Sequence, residues 1–140
     1  MKLTFRLAAL AVAMAVPMPA FAAAIDALMY KNPQCSCCEA YAAYLEQNGF
    51  KVDVKPVNNL SQISSEAGVP TDLEGCHTIM VDGYVVDGLV PVEVVKKMLT
   101  ERPAIAGITL AGMPAGAPGM GGSKSEEFLG FMKLVVKTAP

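Results

Sequence analysis

Residues 24–57 read AIDALMYKNPQCSCCEAYAAYLEQNGFKVDVKPV, and the fold is decided there. Residues 24–30 are apolar with one interruption and run into Asn32-Pro33, the pattern of a strand entering a loop. Pro33 and the residues after it open a helical stretch, in which Cys38, Ala42 and Leu45 recur at helical spacing with Tyr41 beside them. Gly49 after Asn48 is a C-terminal stop, with Phe50 folding back over the last turn. Residues 51–57 alternate apolar and polar side chains at period two and form a second strand. Strand, helix and strand in this order make a crossover unit whose strands run parallel.

Outward from this unit, residues 58–69 are a short helix or turn with Asn59 as its cap. In CHTIMVDGYVVDGLVP, residues 76–91, two apolar runs at 77–81 and 84–86 meet at Asp82-Gly83, a strong hairpin signal. A helix then starts with Pro91 in its first turn, continues through Val92, Val95 and Leu99, and stops before Pro103. Residues 104–125 are rich in Gly, Ala and Pro, contain Met113 and Met120, and show no period, so they read as an extended surface loop. FLGFMKLVV at 128–136 ends in β-branched Val135 and Val136, which favours a last strand. No internal repeat is present. A parallel pair linked by a helix, an antiparallel hairpin and a closing helix are the plan of an α/β, thioredoxin-like sandwich with a central mixed sheet. In that plan a Cys-x-x-Cys lies between the first strand and its helix, where Cys35 and Cys38 stand.

The N-terminus has a separate role. Lys2 and Arg6 precede an apolar run from Leu7 to about Val16, Pro17 and Pro19 break it, and Ala20-Phe21-Ala22 has the small residues of a cleavage site. Residues 1–22 therefore read as a signal peptide and 23–140 as one domain, with no membrane span in the mature chain. Loss of Lys2 and Arg6 leaves 9 of the 11 basic residues against 13 acidic ones, a net charge of −4. A mildly acidic domain of this kind is a poor nucleic-acid binder. Export also places its thiols where they tend to oxidise.

Three of the four cysteines, Cys35, Cys37 and Cys38, fall in four positions. At a helix N-terminus the unpaired N–H groups and the positive end of the dipole favour thiolate, which is both nucleophile and metal ligand. Counted back from the Asp82-Gly83 turn, Gly75-Cys76 begins the strand facing the Cys-x-x-Cys, so that four sulfurs and the imidazole of His77 meet at one end of the sheet. Three chemistries compete. A pair of structural disulfides would spread cysteines apart to close long loops, which crowding in one turn does not do. A thiol–disulfide oxidoreductase would use Cys35 as nucleophile and Cys38 as resolving thiol, leaving Cys37 and Cys76 without a part. A soft-metal site uses all four, with Cu(I) the best match for thiolates and zinc the main rival. His77 is either a ligand or support of that site or a packed strand histidine, and Met113 and Met120 are either sulfur donors over the cluster or packing residues. Met29, Met80, Met98 and Met132 fall in strand or helix patterns and read as core. No Ser/His/Asp set, phosphate-binding Gly loop or paired-carboxylate site stands out.

Taken together, YKNPQCSCCEAYAAYLEQNGF, the Gly-Cys-His-Thr-Ile-Met-Val-Asp-Gly run at 75–83 and GMPAGAPGM at 112–120 resemble an exported, thioredoxin-like metal-binding family of unknown-function domains. Its best-known members are the periplasmic CopG-type copper-resistance proteins. The resemblance runs from about Ala24 to Met120. It implies copper handling in a Gram-negative periplasm, copper clustered by Cys35, Cys37, Cys38 and Cys76, a redox role, and other copper-handling proteins as partners. Two departures stand out. The family usually reads Gly-His-Val-Pro where this chain has Gly88-Leu89-Val90-Pro91, and the residues after Met120 form a short, divergent tail.

Overall fold

A computed structural model of the chain describes residues 23–112, 114–120 and 132–135. Its elements are β1 (Ile25–Lys31), α1 (Ser36–Gln47), β2 (Phe50–Pro56), α2 (Leu60–Glu66), a 3-10 turn (Thr71–Leu73), β3 (His77–Val81), β4 (Tyr84–Gly88), α3 (Val92–Glu101), β5 (Gly107–Leu110) and β6 (Met132–Val135). The strands form one mixed sheet in the order β2-β1-β3-β4-β5-β6. The β1–β2 and β4–β5 pairs are parallel and the remaining neighbours antiparallel. This is the thioredoxin-like α/β arrangement expected from the strand–helix–strand opening and the hairpin. Among the described residues no helix is long and apolar enough to cross a membrane.

Strand alternation assigns the two faces. Ala27 and Met29 of β1, Ile79 and Val81 of β3, and Val86 of β4 join Tyr41 and Leu45 of α1 and Val95 and Met98 of α3 in one core cluster. Full burial of an aliphatic side chain of this size is worth about 1.5–3 kcal/mol. Out of phase with them, Thr78 of β3 shares a 2.6 Å hydrogen bond with Ser64 of α2, which places α2 on the opposite face. Two tyrosines tie α1 to the start of α3. Tyr41 donates its hydroxyl proton to the Val90 carbonyl at 2.5 Å, and the Tyr44 hydroxyl oxygen accepts the Val92 N–H at 3.0 Å.

Local chemistry explains the element ends. Asp82 and Gly83, at φ 46° and 84°, make the left-handed turn between β3 and β4. Helix α3 ends at Arg102, also left-handed at φ 52°, whose guanidinium donates to the Asp82 side chain and lies 5.4 Å from the centre of the Tyr84 ring. Helix α1 starts at Ser36, later than Pro33, because the turn over residues 32–35 closes with the Cys35 N–H on the Asn32 carbonyl at 3.1 Å.

The reading of residues 104–125 as a surface loop is corrected near its start. Residues 107–110 form β5, a fully buried strand pairing with β4. Four residues beginning in glycine are too few to display a period against Gly, Ala and Pro on both sides. The glycine is required by packing: a Cβ at Gly107 would run into the carbonyl of Val85. The last strand is present as β6. Of the methionines read as core, Met29 and Met98 are buried, whereas Met80 lies on the opposite face of β3 and is half-buried.

Gly107→Ala is expected to push β5 off β4 and destabilise the domain by about 3 kcal/mol, the upper end for overpacking. Gly112→Ala, whose added Cβ meets nothing within 4 Å, bears only its φ of +76° and is expected to cost less. Urea unfolding of both variants at a fixed thiol redox state measures the difference.

Candidate metal centre

The turn between β1 and α1 is compact enough to put three sulfurs together. Cys35 is the N-cap of α1 in extended conformation, and its sulfur accepts the Cys38 N–H at 3.2 Å. Cys37 and Cys38 follow in the first helical turn, under the positive end of the helix dipole. Cys35 and Cys38 are joined as a disulfide, while Cys37 and Cys76 are free.

Cys76 arrives from the other segment. The Asn32 N–H donates to the Cys76 carbonyl at 3.3 Å, extending the β1–β3 pairing by one step beyond Lys31↔His77. This brings the Cys76 sulfur to 3.3 Å from that of Cys38 and 3.6 Å from that of Cys37, which itself lies 3.2 Å from the Cys35 sulfur. All four sulfur atoms lie within 4.8 Å of one another. A concavity of about 220 Å³, lined by Asn32, Glu74, Gly75, Cys76 and Gly112, opens beside Cys76. Burial, reinforced by contact with the Cys37 sulfur, pushes the Cys76 thiol up to about 12. Cys76 thus keeps its proton at neutral pH.

His77 is fully buried on the α1 face, stacked on Tyr41 with ring centres 4.9 Å apart. Its Nδ1 is 3.8 Å from the Cys76 sulfur, and its buried Nε2 has no hydrogen-bond partner. Burial pulls its pKa down to about 4, opposed by the nearby Gly88 backbone, so the ring is neutral at pH 7. Met120 is half-buried against the core at the end of a loop that crosses the first turn of α1. A Cβ on Gly119 would sit 3.4 Å from both the Cys37 carbonyl and the Ala40 side chain. Met113 and residues 1–22 lie outside the described residues. Leu89 is fully buried in the apolar core.

Two buried charged side chains support the site, and sequence reasoning assigned neither. Lys31, 1% exposed, points its ammonium at the carbonyls of Asn32, Pro33 and Cys35 and pairs with Glu39 at 2.9 Å. The signal for it was the period-two pattern of β1, which puts Lys31 on the same face as Ala27 and Met29. Asp87 accepts the Gly75 N–H at 2.6 Å and the Thr78 hydroxyl at 2.7 Å, holding the residue before Cys76. An added Cβ at Gly75 would lie 2.8 Å from that carboxylate. No local pattern in β4 sets Asp87 apart, because every residue of this strand is buried.

Residues 73–120 match the family described as "Protein of unknown function, DUF411". The solved structures titled "Copper resistance protein copG- Form 2" and "Copper resistance protein copG- Form 1" are both 37% identical to this chain. Each match covers 69% of this chain and 77% of the other, with TM-scores of 0.66 and 0.65. The chain belongs to this CopG-like DUF411 family. The family match takes in Cys76, His77, Leu89 and Met120 and stops short of the Cys35–Cys38 turn on its N-terminal side. No curated protein matches the chain. The cysteine cluster fits metal binding by a CopG-like fold.

Opposed titrations under the site give a pH prediction for the metal-free protein. His77 falls from 6.5 to about 4 on folding, so its contribution is present above pH 6.5 and lost as pH falls towards 4. Asp87 rises from 3.8 to about 6, mainly through burial, so its contribution is present below 3.8 and lost as pH rises through 6. Between pH 4 and 6 the two slopes oppose each other. Asp87→Asn removes one, and its stability is expected to decline more steeply than wild type as pH falls from 6.5 to 4, by about 2–3 kcal/mol over the range. Denaturant unfolding at stepped pH checks the slope.

Proposed function

We propose that this protein binds copper in the periplasm of a Gram-negative cell, in copper homeostasis or resistance. Cys35, Cys37, Cys38 and Cys76 hold Cu(I), His77 supports them, and Met113 and Met120 are outer donors. The observation that carries this reading is the convergence of four sulfurs from two distant segments within 4.8 Å. Thiolates are soft ligands that favour Cu(I), with zinc the less favoured occupant, and the 37%-identical structures are titled copper resistance proteins. Neutral His77 beside Cys76 offers a lone pair without adding charge. The leader read at residues 1–22 supports export, and periplasmic copper-handling proteins are the partners that such a role requires.

A second reading rests on the Cys35–Cys38 disulfide, a Cys-x-x-Cys at a helix N-terminus. In that reading the protein is a thiol–disulfide or copper oxidoreductase. The reduced pair passes two electrons and two protons to a substrate disulfide and is left as the disulfide itself. Cys37 separates the two readings, because attack and resolution need only Cys35 and Cys38, whereas a sulfur cluster needs every donor.

Cys37→Ser and Cys76→Ser are each expected to lower copper per protein or weaken Cu(I) binding by about tenfold or more, since a hydroxyl is a poor ligand for a soft ion. Anaerobic Cu(I) competition on the fully reduced variants, with circular dichroism to verify folding, makes the test. Unchanged copper binding in both, together with disulfide reductase activity abolished only by Cys35→Ser or Cys38→Ser, would favour the enzyme. N-terminal sequencing of the periplasmic form is expected to begin at Ala23, and an intact Met1 in the membrane fraction would contradict the export reading.

A further inference from the structure

We propose that Lys31 is a positioning residue of the sulfur site, fixing the cysteine turn from below and offsetting the negative charge of the loaded cluster. The inference rests on the metal-binding reading and adds a residue to it. Lys31 closes β1 on the core side, where its neighbours in phase are Ala27 and Met29. A buried ammonium in such a place is costly unless it is paired and hydrogen-bonded. Its donors are directed at the carbonyls of Asn32, Pro33 and Cys35, at 3.2, 3.3 and 3.5 Å, all of them in the turn that delivers the first sulfur. The same ammonium reaches Glu39, which follows Cys38 in the first turn of α1. One charge therefore grips both ends of the Cys35–Cys38 segment.

The charge has a second consequence. Four thiolates carry four negative charges and each Cu(I) returns one, so a loaded cluster stays anionic unless it holds as many ions as sulfurs. The fixed groups around it are the positive end of α1 and Lys31, against the carboxylates of Glu39, Asp87 and Glu74, the last in the lining beside Cys76. Glu39 is largely exposed, its side chain 65% accessible, so solvent screens it more than it screens the enclosed ammonium. Removing Lys31 and removing the charge of Glu39 should then change metal affinity in opposite directions, which a purely structural link between the two would not do.

The test compares wild type, Lys31→Met and Glu39→Gln, all fully reduced, by Cu(I) competition, with circular dichroism to follow folding. Lys31→Met is expected to bind Cu(I) about tenfold or more weakly, and Glu39→Gln about two- to fivefold more tightly. Wild-type affinity in a folded Lys31→Met, or weaker or unchanged binding by Glu39→Gln, overturns the proposal. If Lys31→Met fails to fold, Glu39→Gln alone decides it by the same sign. If wild type takes up no Cu(I), the copper reading fails by itself, and the three proteins are titrated with Cd(II), followed by its thiolate charge-transfer absorption, with the same two signs expected. A wild type that binds neither ion overturns both.

Discussion

The antiparallel pairing of β1 with β3 is the constraint on which the site depends. It runs from Ala27↔Val81 to Lys31↔His77 and is carried one step further by the Asn32 N–H on the Cys76 carbonyl. A slip of β3 by one residue would turn His77 away from Tyr41 and send the β3 side chains to the wrong face. Burial of Ile79 and Val81 beside Met29 and Ala27 forbids that slip, because it would carry Ile79 and Val81 out of the core. Hydrophobic register thus sets where the fourth sulfur stands relative to the other three.

Burial has opposite effects on the groups gathered there. It holds His77 neutral and Cys76 protonated, and it raises Asp87 towards 6. Lys31 stays within the core only because carbonyls and a carboxylate surround its ammonium. The resulting site has few free charges until its thiols are deprotonated. A cation that takes the place of thiol protons therefore changes the local electrostatics sharply, and the positive end of α1 is already oriented to receive the anionic sulfurs.

The oxidation state of the turn bears directly on this chemistry. With Cys35 and Cys38 joined, two of the four sulfurs are committed to each other, and Cys37 and Cys76 each touch one of the bonded sulfurs, at 3.2 and 3.3 Å. Opening the pair takes two electrons and two protons from a thiol donor, after which all four sulfurs are free thiols. The same cysteine geometry is compatible with sulfur–sulfur and with sulfur–metal bonding, which is why the metal-binding and oxidoreductase readings share residues.

Local sequence determined the β-α-β opening, the Asp82-Gly83 hairpin, the helix before Pro103 and the crowding of Cys35, Cys37 and Cys38, because each has a period or a turn signal within a few residues. It also pointed to Cys76 and His77 as partners of that turn, by counting back along β3 from the hairpin. Tertiary structure alone decided three things. Residues 107–110 became a buried strand, since only the close approach of the Val85 backbone explains a glycine there. Asp87 came to hold the backbone before Cys76 through a hydrogen bond across twelve positions of the chain, a link that no local pattern encodes. The period of β1 set Lys31 on the inward face, but its enclosure, against the usual preference of lysine for solvent, came only with the packing of α1 over the sheet, where carbonyls of its own turn and Glu39 of α1 receive the ammonium.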